Sequence, residues 1–108
     1  MDLDRIGKYR EDDRLEAKLA TGGLPQSIWE TYSAFANSRG GLILLGVEEL
    51  PDHTLRVQGL LDPHEMAEEF WCMVEDPEVV SANILRPEDI WVAGTEDGAV
   101  LVIEVPPA

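Results

Sequence analysis

Positive charge is scarce in this chain: over 108 residues, eight Lys and Arg face 22 Asp and Glu, a formal net charge of −14. That balance argues against the broadly basic surface on which tight, sequence-independent nucleic-acid binding rests. Cysteine is scarcer still. Cys72 stands alone, so no internal disulfide can form, and its place beside Trp71 in a helical apolar pattern reads as a packed thiol rather than a reactive one. His53 and His64 lie in turn and helix-start contexts, with no second histidine or cysteine at a ligand spacing, which leaves zinc without a binding set. No apolar run approaches the roughly 20 residues of a membrane span. The acidic amino terminus is followed by no apolar block of the secretory kind, so the expected compartment is the cytoplasm, with no membrane partner. G-x-x-x-x-G-K-[ST] is also missing, so no motif supports ATP as a cofactor. Gly22-Gly23 ahead of a helix start could receive a phosphate, but a plain turn explains the pair more simply.

What is present is a folding sequence. With 44% hydrophobic and 28% charged residues, the chain is neither disordered nor fibrous, and its length suits one domain with a modest core. Charge is unevenly placed. Residues 1–39 carry six basic groups (Arg5, Lys8, Arg10, Arg14, Lys18, Arg39) against seven acidic ones, whereas residues 40–108 carry two against fifteen. The acidic half reads either as a solvated surface or as a face that docks on a basic partner or forms a homodimer.

The chain turns on the stretch from Ala34 to Val47. Ile28, Trp29, Tyr32, Phe35 and Ala36 recur at helical spacing, and Gly40 can take the left-handed conformation that closes a helix. Leu42 to Val47 then reads as a strand covered on both faces, and hence a central one. Before this corner, Arg14 to Leu19 alternate as a strand, with Leu15 and Ala17 on one face and Glu16 and Lys18 on the other. Pro25, or Ser27 with Glu30 as a capping box, starts the first helix, near residues 25–38. Beyond the corner, Thr54–Val57 pairs with the preceding strand as a hairpin. Asp62 and Pro63 open a second helix, near residues 63–75, with Met66, Ala67, Phe70, Met73 and Val74 as its buried stripe. Asp89–Gly94 and Ala99–Val105 flank an Asp97-Gly98 turn and should pair antiparallel. Residues 1–12 show only a weak helical pattern, and Val79–Leu85 is ambiguous. Val105-Pro106-Pro107-Ala108 leaves a strand on a proline-led connection, which reads as the amino-terminal fragment of a longer protein with a downstream domain.

Two readings of the carboxylates remain open. Glu11, Asp12, Asp13 and Glu16 precede or occupy the first strand, and Glu48 and Glu49 end the central one. If these strands are neighbours, their carboxylates meet at one rim, as in divalent-metal sites for phosphodiester cleavage; the alternative is a solvated acidic rim.

The residues Glu11-Asp-Asp-Arg-Leu-Glu16-Ala-Lys18, joined to Ala-Phe-Ala-Asn37-Ser-Arg-Gly40-Gly41-Leu-Ile-Leu-Leu-Gly46-Val-Glu48, resemble the Schlafen-type Alba-like domain. The likeness covers roughly residues 10–105, in the bacterial branch whose members are named transcriptional regulators or helicase-related proteins. It implies an α+β domain with a mixed, mostly antiparallel sheet and two main helices. It also implies a nucleic-acid (DNA) binding regulatory role. Arg14, Lys18 and Arg39 would then contact phosphates, and Asn37 would hold the corner or touch nucleic acid. The eukaryotic members with three carboxylates are metal-dependent ribonucleases. Their catalytic and metal positions would fall on Glu11, Glu16 and Glu48, where Glu replaces the usual Asp, with Mg or Mn as the ion. No cofactor is expected for the binding role, and the isolated domain is expected to bind rather than catalyse.

Overall fold

The apolar periodicities become six strands and two α-helices among residues 14–20, 23–52, 54–78 and 85–107, the part of the chain that the computed structural model describes. In order these are β1 (Leu15–Lys18), α1 (Ile28–Ala36), β2 (Gly41–Leu45), β3 (Val47–Glu49), β4 (Leu55–Val57), α2 (Pro63–Val74), a 3₁₀ turn (Pro87–Asp89), β5 (Ile90–Thr95) and β6 (Gly98–Val105). Four strands form one mixed sheet in the order β1-β2-β6-β5, with β1 parallel to β2 and the other pairs antiparallel. β3 and β4 form a separate antiparallel ribbon. The fold is α+β, as expected. No helix among the described residues is long and apolar enough to cross a membrane.

Every residue of β2 is buried, which is what a continuous Leu-Ile-Leu-Leu run needs. Ile43 and Leu45 face the helices, meeting Ile28 and Tyr32 of α1, Phe70 and Val74 of α2, and Leu101 and Ile103 of β6. Leu42 and Leu44 face the other way, into a second cluster with Val47, Ala93, Val100 and Val102, flanked by Leu15, Ala17, Leu55, Val57 and Trp91. Each such side chain, fully buried, contributes about 1.5–3 kcal/mol. Trp29 stacks on Phe70 with centroids 5.1 Å apart, tying α1 to α2.

The corner between α1 and β2 depends on two glycines for two reasons. The Gly40 N–H donates to the Phe35 carbonyl (2.8 Å) with φ at +81°, the left-handed closure of a helix end. A side chain there would also put its Cβ 2.5 Å from the Val105 carbonyl oxygen. Gly41 has ordinary backbone angles, but a Cβ on it would lie 2.6 Å from the Phe35 ring.

Four expectations are corrected. β2 stops at Leu45 rather than Val47. Gly46 takes φ +93°, donates its N–H to the Lys18 carbonyl (2.8 Å) and accepts from Gln58 and Gly59, so Val47 leaves the sheet for the ribbon. Ser27 makes no capping bond; the backbone enters α1 through Ile28 N–H to the Pro25 carbonyl (3.1 Å). Cys72 is exposed rather than packed, because the buried side of α2 runs through Phe70 and Val74 and leaves position 72 outside it. Asp89 belongs to the 3₁₀ turn, not to β5, and is 2% exposed. Its carboxylate accepts the Arg86 N–H (2.9 Å) and lies 3.5 Å from the Arg86 guanidinium, which offsets the cost of burying the charge. By contrast, Asp62 caps α2 as read, accepting the Glu65 N–H (3.0 Å), with Pro63 as the first helical residue. The arm at residues 1–12 and the segment 79–84 lie outside the described residues.

In the ribbon turn, Asp52 accepts the Thr54 hydroxyl (2.6 Å) and the Thr54 N–H (3.1 Å), and the hydroxyl bond chiefly holds its carboxyl below the ordinary value. A depressed carboxyl favours the folded state above the unfolded pKa and loses that effect as pH falls through the folded one. Thr54→Val should therefore move the Asp52 titration upward while keeping the backbone bond, as followed by carboxyl-carbon NMR; an unmoved titration would deny the hydroxyl its role. At the corner, Gly40→Val should cost at least about 2 kcal/mol, lowering Tm by roughly 8 °C or more for a domain of this size. A melt within a degree of the parent would remove the corner from its central place.

Candidate nucleic-acid interface

β1 lies at one edge of the four-stranded sheet, parallel to β2, and α1 makes the crossover between them. The start of β1 therefore meets the end of α1, and the end of β1 meets the start of α1. At the first junction, Arg14 Nη1 donates to the Arg39 carbonyl (2.7 Å). Asn37 and Arg39 are both exposed in the turn that follows α1. The Asn37 amide donates from Nδ2 to Ser33 Oγ (3.3 Å), so its side chain lies back along the helix while its own backbone N–H closes onto the Ser33 carbonyl.

At the other junction, Lys18 Nζ donates to Ser27 Oγ (3.0 Å) and lies 3.9 Å from Glu16 Oε1. The Lys18 side chain is only 14% exposed, against 48% for Glu16. Four residues of extended chain put this junction about 13 Å from Arg14. The structure thus groups Arg14, Asn37 and Arg39 and sets Lys18 apart beside a carboxylate. Ser27 as the partner of Lys18 was missed from sequence. The available signal was that Lys18 shares a face with Glu16, on the side of the sheet where a crossover helix must start.

The three carboxylates stand differently. Glu16 borders Lys18, and Glu48 sits on β3 directly opposite Arg56 of β4. Glu11 lies outside the described residues. Among the described residues, no three His, Cys, Asp or Glu side chains are grouped so as to hold a metal ion. Negative charge collects elsewhere, on the exposed side of α2, where Glu65, Glu68 and Glu69 project, and just beyond it at Glu75, Asp76 and Glu78. α2 packs over β5 and β6, whereas α1 packs over β2 and β6, so the acidic helix and the basic corner belong to different halves of the sheet.

The family model Schlafen, AlbA_2 matches residues 11–108. The chain belongs to the Schlafen AlbA_2 family. The fold of this Schlafen AlbA_2 domain is similar to the solution NMR structure of the N-terminal domain of an ATP-dependent DNA helicase RecG-related protein from Nitrosomonas europaea. The two share 30% identity at a TM-score of 0.68, over 98% of this chain and 71% of that one. Among curated proteins, none matches this chain. Family and structural neighbour together fit a nucleic-acid-related domain.

The Lys18 ammonium already sits beside Glu16, so a divalent ion would have to compete with it. Millimolar Mg²⁺ or Mn²⁺ is therefore expected to leave the melting temperature unchanged. A rise of several degrees that disappears in Glu16→Gln would instead place a cation at that carboxylate.

Proposed function

We propose that this Schlafen AlbA_2 domain is a DNA-binding regulatory module of a helicase-related protein or transcriptional regulator, acting with a downstream region of the same chain. Arg14 and Arg39 would contact phosphates at the corner after α1, with Asn37 beside them and Lys18 as a further contact along β1. One observation carries the reading: the Arg14 guanidinium is held on the Arg39 backbone, so two arginines are stationed at one corner of a domain whose charge is otherwise negative. That bond restricts the side chain beforehand, reducing the entropy lost when it meets an anion. Arginine's planar fork suits phosphate better than the point charge of lysine, and Lys18 is further compensated by Glu16. The neighbour's description as the N-terminal domain of a DNA helicase-related protein supports both the ligand and the downstream partner.

Binding by so few contacts against a net charge of −14 is expected to be weak, with a shallow dependence on salt. Fluorescence anisotropy with a mixed-sequence duplex should give a log–log salt slope of about −2 to −3, and Arg14→Gln or Arg39→Gln should each reduce its magnitude by roughly one. No binding at low salt, or a slope indifferent to both substitutions, would overturn the assignment.

A further inference from the structure

At the opposite side of the sheet from β1, α2 and the 3₁₀ turn enclose an open groove of about 460 Å³ lined by Ala67, Glu68, Trp71, Cys72, Pro87 and Ile90. Its walls are mainly apolar. Ala67, Trp71 and Ile90 are only partly covered by the core they pack against. Its surroundings are acidic. Glu68 is part of the lining, and Glu75 follows Trp71 by one helical turn, so a carboxylate stands toward each end of the α2 wall. Among the described residues the nearby cation is Arg86, which is already engaged by Glu88 (3.4 Å) and Asp89 (3.5 Å). Glu65, Glu68, Glu69 and Glu75 form no ion pair among the described residues. The last turn of α2 also carries no basic residue, and Glu75 caps it, which is the unfavourable sign for the carbonyl end of a helix. A cation supplied from outside would relieve that repulsion.

We propose that this groove docks an extended basic protein segment, one apolar side chain entering between Trp71 and Ile90 while flanking Lys or Arg side chains meet Glu68 and Glu75. Charge complementarity selects this occupant. A phosphate backbone would be repelled by the same carboxylates, and a second copy of a chain carrying −14 would bring like charge to like charge. The domain then has two working surfaces, a basic corner at one edge of the sheet and an acidic groove at the other. This inference stands apart from the DNA reading, since none of its residues belongs to the corner.

Cys72, the single cysteine of the chain, lines the groove and is exposed, which provides a direct reporter. The probe is a short synthetic peptide with one central leucine flanked on both sides by lysines, and the readout is the rate at which iodoacetamide alkylates Cys72 at low salt. The peptide is expected to slow alkylation severalfold. Glu68→Lys and Glu75→Lys, both at exposed positions, should each weaken the apparent affinity by up to about fivefold without lowering the melting temperature. A peptide with serine in place of leucine should protect less. Equal protection by a glutamate-flanked peptide, or no protection by the lysine-flanked one, would overturn the proposal. So would protection that rises with protein concentration in the absence of peptide, because the occupant would then be a second copy.

Discussion

Complete burial of β2 is the constraint from which the rest of this domain follows. A strand with Leu42 and Leu44 on one face and Ile43 and Leu45 on the other must be covered twice, and its backbone groups must be met on both sides. β1 and β6 supply the ladders, α1 and α2 cover one face, and the β3–β4 ribbon with Trp91 flanks the other. Because β2 follows α1 directly, the helix must end and the strand enter the core within a few residues. Gly40 and Gly41 make that possible, one through its dihedral angle and the other by leaving space for the Phe35 ring.

This arrangement assigns β1 and β5 to the edges of the described sheet and so separates the two electrostatic characters of the chain. The βαβ crossover gathers Arg14, Asn37 and Arg39, which come from different stretches of sequence, while it carries Lys18 to the far end of the strand beside Glu16 and Ser27. The acidic residues follow α2 to the other half. The crossover thereby sets Arg14 and Arg39 on a different half of the sheet from the carboxylates of α2.

The one buried carboxylate among the described residues illustrates how locally charge is handled. Asp89 is tolerated at 2% exposure because Arg86, three residues earlier, offers both its N–H and its guanidinium, and the same pair shapes the turn that delivers Ile90 into β5. That turn also forms a wall of the groove beside Trp71. Structural and surface roles therefore meet in a single short segment.

Much of this was legible in the residues alone. The stripe of α1, the Asp62-Pro63 start of α2, the Asp97-Gly98 hairpin and the central position of β2 rest on local periodicity and turn chemistry, which short-range sterics enforce wherever the chain goes. The positive φ of Gly40 belongs with them. What periodicity could not decide was anything requiring two distant segments to meet. Gly46 ends β2 early because its backbone bonds to Lys18, Gln58 and Gly59, and Ser27 accepts Lys18 instead of capping its own helix. Cys72 could not be placed by its apolar neighbours, because the angle at which α2 settles on the sheet decides which side of Trp71 faces out. Among the candidate site residues, sequence supplied the residue types, and only the crossover of α1 decided that Arg14 and Arg39 share a corner while Lys18 does not. Side-chain identity is local, whereas proximity across a parallel strand pair is a property of the closed fold.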